Sequence, residues 1–269
     1  MSRGGSRGVL QRLCLVLLWL AVLWLAGGPV AAGESSGWKA GVARGIITPT
    51  EPVWLAGYGT KRVPEGTLHD LWLKVLAIED GDGRRGVLIT SDFQGVPRSM
   101  SDPVFEQLQR RFGLERHQVL FTFSHNHCGP RLGDDLIDYY PVEAEQVELV
   151  ARYTERMQAT VVELVDAALA ALEPAELAYG QGETSFAVNR RENPESEVPR
   201  LLDQAVPLKG PVDHTVPVLT VRGADGAVRA VLFGYACHPT TLSFNQWCGD
   251  YPGFAQLAVE AAVPGATAM

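Results

Sequence analysis

The sequence predicts an α/β domain: a layered mixed sheet flanked by helices, with a metal site at the carboxyl ends of its strands. Three observations carry this. Three short apolar runs, Gly86–Asp92, Gln118–His125 and Ala230–His238, are rich in β-branched and aromatic residues and each ends on a polar group. Near-continuous apolarity over so few residues suits strands buried on both faces. Long amphipathic stretches lie between the runs, the mixture that layered α/β folds show. The strand ends deliver Asp92, His125 with His127, and His238, and in open α/β sheets ligands gather beyond the carboxyl ends of the strands.

Taken in order, residues 1–32 read as a cleaved signal peptide. Arg3, Arg7 and Arg12 precede an apolar stretch of about thirteen residues, Leu13–Leu25, and Val30-Ala31-Ala32 fits the small-residue demand of a signal peptidase. The stretch is shorter than the roughly twenty residues a helix needs to span a bilayer. The domain proper is then 33–269. Gly41–Ile47 and Leu71–Ile78 are strand candidates ahead of the first apolar run, and Val216–Val221 is a further one ahead of the last. Ser101 or Asp102 caps a helix with Pro103 in its first turn, Val104, Leu108 and Phe112 at four-residue spacing, and Gly113 at its end. A longer helix runs from Glu143 to Leu172, with Val147, Val150, Thr154, Met157, Val161, Leu164, Val165, Ala168 and Leu172 as its apolar stripe and Pro174 as its stop. Arg190–Asp213, with four prolines and several charges, reads as a surface loop. A last helix follows Asp250, carrying Phe254, Leu257 and Val259, and Pro264–Met269 reads as a turn leading into another strand.

Composition sets the outer limits. With 269 residues, 46% hydrophobic and 20% charged, the chain can bury a full core and needs no staples, so a metal here would serve chemistry. The 23 basic against 31 acidic residues leave no basic face for phosphates, which disfavours a nucleic-acid partner. Loss of 1–32 would make the chain more acidic still, because three arginines and no acid would leave. Cys14 would leave too, and Cys128, Cys237 and Cys248 would remain. They read as small buried thiols with at most one intramolecular bridge.

The chemistry is concentrated in Ser124-His-Asn-His-Cys-Gly-Pro130 and His238-Pro-Thr240. Imidazoles at i and i+2 lie on one side of an extended chain, and Gly129 with Pro130 then turns the backbone away. Neutral imidazole is the commonest protein ligand for zinc, and a catalytic zinc takes three protein ligands and keeps a position for water. His125, His127 and His238 are therefore ligand candidates. Asp92 reads as a ligand, as a carboxylate fixing the tautomer of a ligating histidine, or as a turn-initiating residue. Cys128 and Cys237 adjoin candidate ligands and read chiefly as packing residues, with a nucleophilic role the minor alternative. His69, His117 and His214 carry no assigned role.

Further motifs lie in the same order along some two hundred residues: Gly45-Ile-Ile-Thr-Pro49, Gly57-Tyr-Gly59, His69, Thr90-Ser-Asp92, Asn189-Arg190, Val212-Asp213 with Pro217-Val-Leu219. With the two histidine segments, they make the chain from about Trp38 onward resemble the amino-terminal catalytic domain of the neutral/alkaline, non-lysosomal ceramidases. That resemblance implies a zinc-dependent amidase hydrolysing the N-acyl bond of ceramide to a long-chain base and a fatty acid. It implies zinc binding by His125 and His238, a substrate or oxyanion contact for His127, and a partner for the carbonyl oxygen in Arg190, with Arg191 as the neighbouring alternative. It also implies a lipid amide substrate, met at a membrane surface through that substrate; the signal peptide 1–32 predicts export to an extracellular or periplasmic space. The family's other zinc ligands, a Glu and a Tyr, lie downstream of the segment matched here, so the chain is expected to be incomplete at its carboxyl end. It departs from the family pattern at Cys128, commonly Ser, and at His214, commonly Pro. Two rival readings stand beside this one: another metal-dependent amidohydrolase, and a non-catalytic exported lipid-binding domain.

Overall fold

The computed structural model describes residues 37–269; the expected signal segment 1–32 lies outside the described residues. In chain order the elements are β1 (Lys39–Ile46), β2 (Gly66–Thr67), β3 (Trp72–Glu79), β4 (Arg85–Ser91), α1 (Arg98–Phe112), β5 (Val119–Phe121), α2 (Ala144–Ala170), β6 (Glu173–Glu183), α3 (Val198–Asp203), β7 (Thr215–Gly223), β8 (Val228–Phe233), β9 (Gln246–Trp247), α4 (Asp250–Ala262) and β10 (Thr267–Ala268). Eight strands form one mixed sheet in the order β10-β8-β7-β6-β1-β3-β4-β5, and β2 pairs with β9 separately. The pairs β4/β5 and β8/β10 are parallel, whereas the central pairings are antiparallel. No described helix is long and apolar enough to cross a membrane.

The sheet is bent. Five strands separate β5 from β8, and in a flat sheet at about 4.8 Å per strand the two would stand about 29 Å apart. Yet the loops leaving them bring His125 and His238 together, with ring centroids 4.8 Å apart. The joint where the two halves meet is slight, since β1 and β6 share only the pairs Lys39–Pro174 and Ala40–Glu173.

Side-chain alternation gives each face its own core. Leu73, Val75 and Ala77 of β3 and Val87 and Ile89 of β4 lie under Met100, Val104 and Leu108 of α1 and Val150, Tyr153, Met157, Val161 and Val165 of α2. The opposite face gathers Leu76, Leu88, Leu177, Leu219, Val221, Leu232 and Met269. Lys74 points to that second face and is almost fully buried; its Nζ donates to Gln256 and Glu260 of α4 and to the Ala268 carbonyl.

Several expectations are corrected. The α1 helix begins at Arg98 and not at Ser101, so Pro103 sits inside it. Proline removes one helical N–H, and the carbonyl four residues back, that of Ser99, instead accepts from Gln158 Nε2 of α2 at 3.2 Å. Gly113 ends the helix in the left-handed conformation, as expected. In α2 the buried stripe runs through Gln146, Leu149, Val150 and Tyr153, leaving Val147 exposed. The chain beyond Leu172 enters β6 directly, a strand the sequence pattern did not reveal. The strand expected over Gln118–His125 is only Val119–Phe121 and lies on the sheet edge, and that expected over Ala230–His238 ends at Phe233. The expected loop Arg190–Asp213 contains the short helix α3. In α4, Phe254 and Leu257 are exposed, so the apolar residues expected to bury that helix do not.

Close approach of helix to sheet sets one sharp requirement. A Cβ on Gly41 of β1 would overlap the Ala168 carbonyl oxygen of α2 and crowd the backbone of Ala171. Gly41→Ala is expected to lower stability by about 3 kcal/mol in urea unfolding. Gly180→Ala, where no atom lies within 4 Å of the new methyl, should stay within about 0.5 kcal/mol. Equal effects at the two positions would contradict this packing argument.

Candidate functional site

Beyond Phe121 the chain keeps its bonding to β4 for three residues, with Thr122 N on Ile89 O at 2.8 Å and Ser124 N on Ser91 O at 3.0 Å. His125 then takes φ 62°, a left-handed conformation that costs a residue with a Cβ on the order of 1 kcal/mol or more and is held only where its surroundings over-determine it. The extended-chain geometry expected for His125 and His127 is thus replaced by a turn, which still brings their ring centroids to 5.2 Å. Asn126, fully buried, pins that turn: its Nδ2 donates to Cys248 O at 2.7 Å and its Oδ1 accepts from Cys128 N at 2.8 Å. Arg62 holds it from the other side through Nη1 to His127 O, at 2.6 Å, and to Ala56 O, while Nη2 donates to Phe244 O.

The seat of His127 explains the Gly57-Tyr-Gly59 motif. Gly57 has φ 108°, and a Cβ there would overlap the His127 ring; its N–H is bonded to the Tyr140 hydroxyl. Tyr58 meets the His127 ring edge-on at 4.7 Å.

Three rings converge. His125 and His238 are stacked at 28°, and His127 stands edge-on to His238 with centroids 4.8 Å apart. One nitrogen of each ring lies within 4.8 Å of the others. His125 Nδ1 donates to Gln94 O at 2.6 Å, which leaves its Nε2 with a lone pair, the arrangement that orients a metal-ligating histidine. His238 Nδ1 lies 2.7 Å from Arg190 Nη2. A guanidinium can only donate, so Nδ1 accepts and the ring proton sits on Nε2, facing His127 Nε2 at 3.2 Å. The His127 proton is then on Nδ1, which is buried without a partner.

Burial, and then the neighbouring His238 and His125, push His127 down to about 4. Burial, His125 and Arg190 lower His238 as well. Both rings are therefore neutral at pH 7, the form that ligates metals. Three imidazoles gathered this closely, with the lone pair of His125 Nε2 free and His127 and His238 neutral, fit a borderline-soft divalent ion. For His238 to offer Nε2, its proton must move to Nδ1, and Arg190 must swing off.

Other residues singled out by sequence fall elsewhere. Asp92 is buried at the end of β4 and its Oδ2 accepts from Trp72 N at 2.8 Å, so it terminates the strand pair and does not join the rings. Cys128 and Cys248 are buried thiols in contact with each other; Cys248 and burial together push the Cys128 thiol up, and burial raises Cys237, which disfavours a thiolate nucleophile at either. His69 packs edge-on against Phe254 of α4. Arg190, and not Arg191, is the arginine in contact with His238. Sequence reasoning missed Gln94, Arg62 and Asn126. Gln94 and Arg62 act on or through backbone carbonyls, which leave no trace in residue type, but Asn126 between two candidate ligands was a visible signal.

Beside the rings, a cleft of about 500 Å³ runs between the two halves of the bent sheet. Leu88 and Leu120 form one wall, Leu219, Leu232 and Tyr179 the other, and Ser124 and Cys237, neighbours of His125 and His238, lie along it.

A bent mixed sheet with three imidazoles gathered beside an apolar cleft defines an α/β domain able to hold a metal ion next to an apolar guest. The pattern of the family described as neutral/alkaline non-lysosomal ceramidase, N-terminal, matches residues 38–269, and the chain belongs to that family. Its fold is similar to that of neutral ceramidase from Pseudomonas aeruginosa, at 21% identity and TM-score 0.69, over 87% of this chain and 38% of that one. It is similar also to a ceramidase complexed with C2, at 22% identity and TM-score 0.68, over 86% of this chain and 37% of the other. The chain thus spans well under half the length of both solved relatives. No curated protein matches it.

Two outcomes are expected. His127 is lowered in the folded chain, so the unfolded chain binds its proton first as pH falls. Stability is therefore full above about pH 6.5 and declines toward pH 4, by about 3 kcal/mol at most from this ring. Urea titrations of the metal-free chain across this window should show that loss, reduced in His127→Asn. Separately, Gly57→Ala should displace His127 and change its imidazole NMR signals while leaving those of His117 in place; an unmoved His127 signal would refute the seat described.

Proposed function

We propose that the chain is the histidine-bearing part of a zinc-dependent hydrolase that cleaves the N-acyl amide of ceramide, or of a related N-acyl lipid, into a sphingoid base and a fatty acid. The convergence of His125, His127 and His238 beside an apolar cleft carries this reading, and family membership supports the substrate class. His125 and His238 would hold the zinc. When bound, the ion supplies Lewis acidity and a water acidic enough to be a nucleophile near neutral pH.

The protein's own groups do the rest. The Gln94 carbonyl fixes His125 with its lone pair inward. Once the His238 proton is on Nδ1, His127 no longer receives a hydrogen bond from it and can hold its own proton at Nε2, where it donates to the amide carbonyl oxygen. Arg190, released from His238, becomes a second donor to that oxygen. Each such donor is worth about 3 kcal/mol where negative charge develops. Water adds its oxygen to the carbonyl carbon, the C–N bond breaks, and the proton that the water gives up passes to the leaving amine. The apolar cleft would take the acyl chain or the base. Residues 1–32 would direct export to an extracellular or periplasmic space, where the substrate is met at a membrane surface. Nucleic acid is not a partner.

The test is metal content by mass spectrometry together with fatty-acid release from a fluorescent ceramide. Expected are one zinc per chain, lost in His125→Ala and His238→Ala, and chelator-sensitive turnover reduced about 100-fold in Arg190→Ala. Lipid binding that persists in both histidine variants, with no zinc and no turnover in the wild type, would overturn the enzyme reading in favour of a lipid-binding domain, which the cleft would also serve.

A further inference from the structure

The first turn of α4 does something the ring geometry alone does not explain. Asp250 is completely buried, and among the described residues it makes no ion pair with a basic side chain. Its backbone has φ 51°, a strained conformation for a residue with a Cβ, of the kind that clusters at functional sites. All of its side-chain hydrogen bonds but one go to a single segment. Oδ1 accepts from the Thr241 hydroxyl and from Thr241 N at 3.3 Å, and Oδ2 accepts from Leu242 N at 2.9 Å. The remaining bond is from its neighbour Tyr251 N, at 2.6 Å.

Thr241 is three residues beyond His238. On the other side of His238, the Tyr251 hydroxyl donates to the Cys237 carbonyl at 2.6 Å. Two adjacent side chains of one helical turn therefore bracket the loop that carries His238, one at each end. The same turn is tied to the loop of His125 and His127 just upstream, where Cys248 O accepts from Asn126 Nδ2 and Cys248 N donates to Cys128 O at 3.3 Å.

We infer that Asp250 is a positioning residue: its carboxylate fixes the loop of His238 and thereby sets where the His238 ring stands against His125 and His127. Its value for metal binding rests on the zinc reading above; its effect on the ring does not. The carboxylate is needed as an acceptor on both oxygens, because both face N–H or O–H groups. Asn at this position keeps the shape and tolerates the left-handed backbone, but it turns one acceptor into a donor aimed at another donor.

The experiment compares the full chain with Asp250→Asn in two ways. Imidazole nitrogen NMR of the metal-free proteins is expected to show shifted His238 signals in the variant, with His117 and His214 unchanged. Zinc titration is expected to show affinity about 10-fold to 100-fold weaker. Unmoved His238 signals and equal zinc affinity in a folded Asp250→Asn would overturn the inference. If the wild type takes up no zinc, the zinc reading fails, and the His238 signals alone decide this one: a shift supports it and no shift overturns it. Should Asp250→Asn unfold, Thr241→Val removes the single hydroxyl bond, and the His238 signals of that variant decide in the same way, shifted in support or unmoved in refutation.

Discussion

Bringing β5 and β8 within reach of each other is the constraint on which the rest of this structure depends. The sheet satisfies it by nearly breaking at the β1–β6 joint, where two residue pairs stand between the eight that join β1 to β3 and the nine that join β6 to β7. The cost is a poorly bonded seam, and the second apolar core offsets it, because Ala40 and Leu76 of one half and Ala175, Val221, Ala230 and Met269 of the other are buried in one cluster. The α1 and α2 layer stiffens one half from behind. The segment Asn245–Tyr251 then acts as the tie between the loops: Cys248 and Tyr251 bond to residues adjoining the histidines, Asp250 to Thr241 and Leu242 just beyond His238, and Asn245 to the Arg62 that holds His127.

The electrostatics follow from the same closure. Arg62 and Arg190 stand beside the imidazoles, and no carboxylate among the described residues is in contact with the rings. Burial and positive neighbours favour the neutral form of His127 and His238, so these two rings are poised for a cation or for an oxyanion, and a proton is disfavoured there. Arg190 on His238 is the one element out of place for a metal, and it is also the residue with the most room to move, being half-exposed and otherwise paired only distantly with Glu195.

The sequence made much of this legible where a local rule applied. Gly86–Ser91 is near-continuously apolar and pairs with a strand on each side; Gly113 after an apolar four-residue repeat is a helix end; His125 and His238 follow strands. It failed where partners are distant. The strand β6 contains Pro174, Gly180 and Gly182 and is largely exposed, so nothing in its composition signals pairing, and only β7 beside it makes it a strand. The early start of α1 depends on Gln158 satisfying the carbonyl that Pro103 frees. The turn at His125 depends on Asn126 reaching Cys248, more than a hundred residues away. Arg62 and Gly57 serve His127 across a gap of some seventy residues, and a short repeat of glycines shows that backbone is being crowded without showing by what.

The buried ammonium of Lys74 has a final consequence for the cleft it borders. An ammonium carries three hydrogens, and here Gln256, Glu260 and Ala268 take all three. The charge is thus spoken for by the protein, and the Lys74 ammonium also lies over the Trp72 ring, 5.7 Å from its centroid. At Lys74 and Trp72 the cleft wall therefore offers a guest no unpaired charge, although it contains a cation. A guest there would be selected by length and girth rather than by charge.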